Sequence, residues 1–115
     1  RGPTRITRNS LIGLTTRAVR EGRHPRRGKA RSLGAVAVQI AYCAAGRLDL
    51  VFCDHYHLWD VAAGLCILRE AGGAAITIED GRDFDDFTGL LSGEFGPTLL
   101  MGGPDVRRFV GLFEQ

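Results

Sequence analysis

The chain has 115 residues, 44% hydrophobic and 24% charged, which suits one globular domain and hardly two. No apolar run reaches the roughly 18 residues of a membrane span, and the opening residues hold no apolar leader core, so a cytoplasmic protein is expected. The net charge of +2 hides an asymmetry: residues 1–31 carry ten Arg/Lys against one acid, and residues 32–115 carry five against twelve.

In chain order, Asn9 and Ser10 offer helix caps, and Leu11, Leu14, Ala18 and Val19 fall near helical spacing. A first helix is predicted there, stopped by Gly22. The arginine-rich stretch RHPRRGKAR, residues 23–31, reads as a polar loop. SLGAVAVQIAYCAAG predicts a buried helix over Ala35–Ala45, ended by Gly46. LDLVFC, residues 48–53, reads as a short strand. WDVAAGLCILREAGG reads as a second buried helix closed by Gly72 and Gly73. AAITI (74–78) and PTLLMGG (97–103) read as strands, separated by an acidic, turn-rich loop. PDVRRFVGLFEQ reads as a final helix with Pro104 in its first turn. Helices alternating with short apolar strands argue for an α/β layered sheet with helices on its faces.

The three cysteines, Cys43, Cys53 and Cys66, lie in apolar surroundings without a CxxC pair. Buried, reduced thiols are expected rather than a structural zinc site. The basic segment 1–31 reads as a solvated flank, as a surface covered by a missing partner domain, or as an anion or RNA footprint. The absence of aromatic residues among its arginines counts against the footprint. The chain lacks an initiator methionine, Met101 being its one Met, so it reads as a piece of something longer or a processed product.

Several positions could carry chemistry. Asp60 stands at the start of a helix that follows a strand. It reads either as a first-turn acid beside the helix dipole or as a ligand or base at a strand's carboxyl end. Gly34 precedes a helix whose free N–H groups suit a phosphate or hydroxyl oxygen. His55 and His57 could join Asp54 or Asp60 in a metal site, or be loop histidines. The acidic loop lacks the glycine and terminal glutamate of a calcium-binding EF-hand.

WDVAAGLCILREAGG resembles the carboxyl-terminal motif of the inositol monophosphatase family. RSLGAVAVQIAYCAAGRLD resembles the family segment preceding it, and the spacing from Gly34 to Asp60 fits without a gap. Together the two cover residues 31–73. The resemblance implies the carboxyl-terminal half of a layered αβαβα fold. It implies a Mg²⁺-dependent, lithium-sensitive phosphomonoesterase acting on a small phosphorylated metabolite, and a homodimer when intact. Asp60 inherits the role of a Mg²⁺ ligand that also meets a substrate hydroxyl. Gly34, Ala35, Val36 and Cys53 inherit substrate-binding positions. Ala35 stands where the family usually has Ser or Thr, and Cys53 where inositol monophosphatases have a glutamate. The family's upstream glutamate and Asp-Pro-Ile-Asp-Gly-Thr-like ligands are absent from these 115 residues. The chain is therefore expected to be the carboxyl-terminal part of such an enzyme, with 1–31 as a basic segment of one α/β domain, inactive without its missing amino-terminal half. A non-catalytic anion- or RNA-binding module on the same fold, or an inactive truncated product, is the alternative.

Overall fold

A computed structural model describes residues 6–22, 25–54, 56, 58–84 and 97–113. Five strands form one mixed sheet: β1 (Leu11–Leu14), β2 (Lys29–Arg31), β3 (Leu50–Cys53), β4 (Ala74–Thr77) and β5 (Leu99–Gly102), in the order β2-β1-β3-β5-β4. β1 pairs parallel with both β2 and β3, while β5 runs antiparallel between β3 and β4. Three α-helices connect them: α1 (Thr16–Arg20), α2 (Val36–Ala44) and α3 (Leu58–Glu70). A 3₁₀ helix, Val106–Phe113, follows β5.

The strands are short and apolar because both of their faces are covered, so successive side chains enter different cores. Val51 and Cys53 of β3, with Leu99 and Met101 of β5, face α2 and α3 and pack with Ile40, Val61, Leu65 and Leu68. Leu50 and Phe52, with Ile12, Leu14 and Leu100, point the other way. They meet Ala18 of α1 and Val106, Phe109 and Phe113 of the 3₁₀ helix. The Phe52 and Phe113 rings stack with centroids 4.8 Å apart. The result is three layers, with α2 and α3 on one face of the sheet and α1 and the 3₁₀ helix on the other.

Four sequence expectations are corrected. The first helix is replaced over Leu11–Leu14 by strand β1, and only Thr16–Arg20 is helical. Its cap is Thr15, whose hydroxyl accepts from the Ala18 N–H, not Asn9 or Ser10. Leu11, Leu14 and Ala18 satisfy helical spacing by coincidence, since a doubly covered strand has no polar alternation to betray it. Lys29–Arg31 of the expected polar loop forms edge strand β2, whose exposed Lys29 and Arg31 put charge along an open edge. The two apolar helices are not buried all round: Val38, Tyr42, Trp59 and Ile67 are all more than two-fifths exposed. The final helix is 3₁₀ rather than α.

α2 and α3 approach closely because α3 carries Gly64 where they cross. A Cβ there would lie 2.9 Å from Ile40 Cγ2, well inside van der Waals contact. The small residues behind Trp59-Asp60 thus fix the seat of α3, and with it the place of the carboxylate. Among the described residues no helix is long and apolar enough to cross a membrane. His55, His57 and residues 85–96 of the acidic loop lie outside the described residues.

Candidate functional site

The connections run in opposite directions from the sheet's middle. The chain leaves β1 toward β2 on one side, and leaves β3 toward β4 on the other. The carboxyl ends of β1 and β3 therefore flank a topological switch point, where open α/β sheets open a crevice for ligands. Because β1, β2 and β3 are parallel, the segments leaving them start at one edge of the sheet. These lead into α1, α2 and α3, so the three helix starts gather there.

A hydrogen bond closes this edge. The Thr15 hydroxyl, directly after β1, donates to Asp54 Oδ1, directly after β3, at 2.5 Å. Thr15 is buried and also caps α1, so one hydroxyl ties both strand ends to a helix start. A cavity of about 280 Å³ opens beside it, lined by Thr15, Thr16, Arg17, Arg20, Gly34, Val36 and Gln39. Gln39 is buried, and its Oε1 accepts from the Leu33 N–H at 3.2 Å, holding the loop before α2. Gly34 adopts φ +85°, a left-handed conformation that strains any residue with a Cβ. Ala35 is the N-cap of α2 in extended conformation and makes no side-chain capping bond.

The residues singled out in the sequence fall into three groups. Gly34 and Val36 line the cavity, with Ala35 between them at the helix start. Asp60 lies in the first turn of α3, half-buried, at the same edge of the sheet but outside the cavity lining. Cys53 is fully buried in the core beneath α2 and α3, so its thiol presents no surface to a ligand. Its neighbour Asp54 turns instead to Thr15. Thr15, Arg17, Arg20 and Gln39 were not apparent from the sequence. A hydroxyl immediately after an apolar strand, followed by arginines two and five residues on, is the signal they leave. Arg17 Nε donates to Glu21 Oε2 at 2.9 Å, which holds its guanidinium firmly in the charged form.

Among the described residues no group of three or more His, Cys, Asp or Glu converges to hold a metal ion.

Residues 4–101 match the model of the inositol monophosphatase family. An inositol-1-monophosphatase of Mesorhizobium japonicum is 41% identical over 63 residues, which is 55% of this chain and 24% of that protein. A fructose-1,6-bisphosphatase/inositol-1-monophosphatase of Thermococcus kodakarensis is 42% identical over 81 residues, 69% of this chain and 28% of that one. The extragenic suppressor protein suhB of Bartonella henselae superposes with a TM-score of 0.69 at 25% identity, over 100% of this chain and 47% of that one. An inositol monophosphatase from Anabaena shares the fold with a TM-score of 0.69 at 20% identity, over 97% of this chain and 46% of that one. The matched stretches are about a quarter of the relatives' length and under half of the solved chains. With 98 of its 115 residues inside the family model, this chain belongs to the inositol monophosphatase family.

Proposed function

We propose that the chain is the carboxyl-terminal part of a Mg²⁺-dependent phosphomonoesterase acting on a small phosphorylated metabolite. The observation that carries this reading is the placement of Asp60. It stands in the first turn of α3, at the edge of the sheet where the carboxyl ends of β1 and β3 lie, in a family whose relatives are phosphatases. A Mg²⁺ ion takes hard oxygen ligands, and Asp60 fits as one of them. Bound beside a phosphate ester, such an ion lowers the pKa of a water and offsets charge on the leaving oxygen. Asp60 would contribute one carboxylate oxygen and meet a substrate hydroxyl, and the backbone of Gly34–Val36 would orient the substrate. Cys53 takes no part in this reading, because its thiol is buried. The remaining metal ligands would come from an amino-terminal half, without which these 115 residues are inactive. The intact enzyme would be a homodimer, as the family resemblance implies, and cytoplasmic, as its reduced cysteines suggest.

The test is the intact mass and activity of the protein from its native source. The expected result is a mass well above 12.5 kDa and Mg²⁺-dependent release of phosphate from small esters. Asp60→Asn lowers that rate by about 100-fold or more. The 115-residue chain alone shows no turnover. A native mass near 12.5 kDa, or an Asp60→Asn enzyme with unchanged rate and Mg²⁺ requirement, overturns the reading.

A further inference from the structure

The link from β3 to α3 is pinned from both neighbouring strands. On one side lies β1, and the Thr15 hydroxyl just past its end donates to Asp54 Oδ1 at 2.5 Å. On the other side lies β5. It runs antiparallel, so its start stands beside the end of β3, with Leu99 paired to Cys53. There the Tyr56 hydroxyl donates to the Pro97 carbonyl at 2.6 Å. Asp54 and Tyr56 are the first and third residues after β3, so both bonds act within three residues of the strand. The two hydroxyls are themselves well held. Thr15 and Tyr56 are buried, and the Thr15 oxygen also accepts from the Ala18 N–H. The Tyr56 ring packs in the same cluster as Val61 and Leu65 of α3. Asp60 follows Tyr56 by four residues and directly precedes the fully buried Val61. Gly64 against Ile40 sets the depth of α3 at its middle. A helix seated only there could still tilt at its start, and the two hydroxyls act on the end that carries Asp60. A side chain that must meet an ion or a substrate has to be held to about 0.5 Å.

We propose that Thr15 and Tyr56 are positioning residues for Asp60: their hydroxyls fix the link between β3 and α3, and through it the place of the carboxylate. This rests on the phosphatase reading for what the carboxylate does once in place. The pinning of α3 is a property of these 115 residues by themselves. It gives the buried end of β1 a part in the site without any contact to a ligand, because Thr15 acts on Asp60 through Asp54.

Amide hydrogen exchange of the 115-residue chain tests the pinning without metal or substrate. Tyr56→Phe removes one hydroxyl and keeps the ring in the core. Thr15→Val removes the other and also uncaps α1. Each should speed exchange at Ala62–Leu65, where the hydrogen bonding of α3 begins, by about tenfold or more, while Ile40–Ala44 of α2 keep their rates. Thr15→Ser retains a hydroxyl and should match the unsubstituted chain. In the intact enzyme Tyr56→Phe and Thr15→Val should raise the Mg²⁺ concentration that gives half-maximal rate by about 10–100-fold, with kcat at saturating Mg²⁺ changed less. Unchanged exchange at Ala62–Leu65, a uniform rise over the whole chain, Thr15→Ser no better than Thr15→Val, or an unchanged Mg²⁺ requirement overturns the proposal. An intact protein without Mg²⁺-dependent turnover overturns the phosphatase reading instead, and the exchange rates then decide the pinning alone.

Discussion

At the scale of single residues, the three thiols show how differently one side-chain type is used. Cys53 is sealed in the core, Cys43 is partly buried, and Cys66 is exposed on the outer side of α3. The expectation of three buried thiols therefore fails at Cys66. Burial pushes the Cys43 thiol up to about 12, with the negative charge of Asp49 adding to the effect. A group whose folded pKa is raised favours the folded state while protonated. Its contribution is fully present below the ordinary value of 9 and is lost as pH rises from there toward about 12. Two outcomes follow. At pH 8 an aromatic disulfide reagent should titrate one thiol quickly, and Cys66→Ser should abolish that fast phase. Above pH 9 the unfolding midpoint in urea should fall, and Cys43→Ala should flatten that fall. Three thiols reacting together at pH 8, or an alkaline slope untouched by Cys43→Ala, would contradict these environments.

Among the elements, α2 is the most informative because its start belongs to the site. Ala35 holds N-cap geometry, φ −127° and ψ 126°, with no side-chain oxygen to use it. Serine there would reach the N–H groups of the first turn without changing the backbone. Ala35→Ser should therefore stabilise the chain by about 1 kcal/mol, a typical cap contribution, seen as a higher urea midpoint at unchanged slope. No gain would mean that these N–H groups already have partners. The same helix shows what is legible in a sequence. A helix over Ala35–Ala45 was expected and Val36–Ala44 is found, because the glycines at its two ends have φ +85° and +79° and punctuate the chain. Asp60 was readable for a similar local reason, as a first-turn acid after a strand. β1 was not: four apolar residues covered on both faces carry no period. The cavity was not legible either. Thr15 and Gly34 are brought together only by the parallel pairing of β1 with β2, and β2 is a three-residue strand hidden in an arginine-rich stretch.

For the whole molecule, the outer faces of α2 and α3 decide the behaviour of the isolated chain. Trp59, Ala63 and Ile67 recur at intervals of four along α3, and Val38 and Tyr42 do the same along α2, so each set forms a stripe. Trp59 is 73% exposed, Ile67 52%, Tyr42 45% and Val38 42%. Both helices lie on the same face of the sheet and pack against each other, so both stripes are exposed on that side as apolar surface of the kind that seeks cover. Burying a large apolar side chain completely is worth about 1.5–3 kcal/mol, so side chains already half-covered gain on the order of 1 kcal/mol each. Counted over both copies of a pair, these side chains give on the order of 8 kcal/mol, against an association cost of about 4–15 kcal/mol, so little net affinity remains. The expected behaviour is weak self-association rather than a tight dimer. Static light scattering should give a mass near 12.5 kDa when dilute that climbs with concentration. Tyr42→Lys with Ile67→Lys should hold the mass constant while the circular dichroism spectrum is retained. Salt separates this mechanism from its electrostatic rival, in which the basic residues 1–31 of one copy meet the acidic remainder of another. Sulfate strengthens apolar association, whereas added salt screens exposed charges. A mass that falls with salt, or that ignores the two lysine substitutions, would move the contact from the helices to the charged surface.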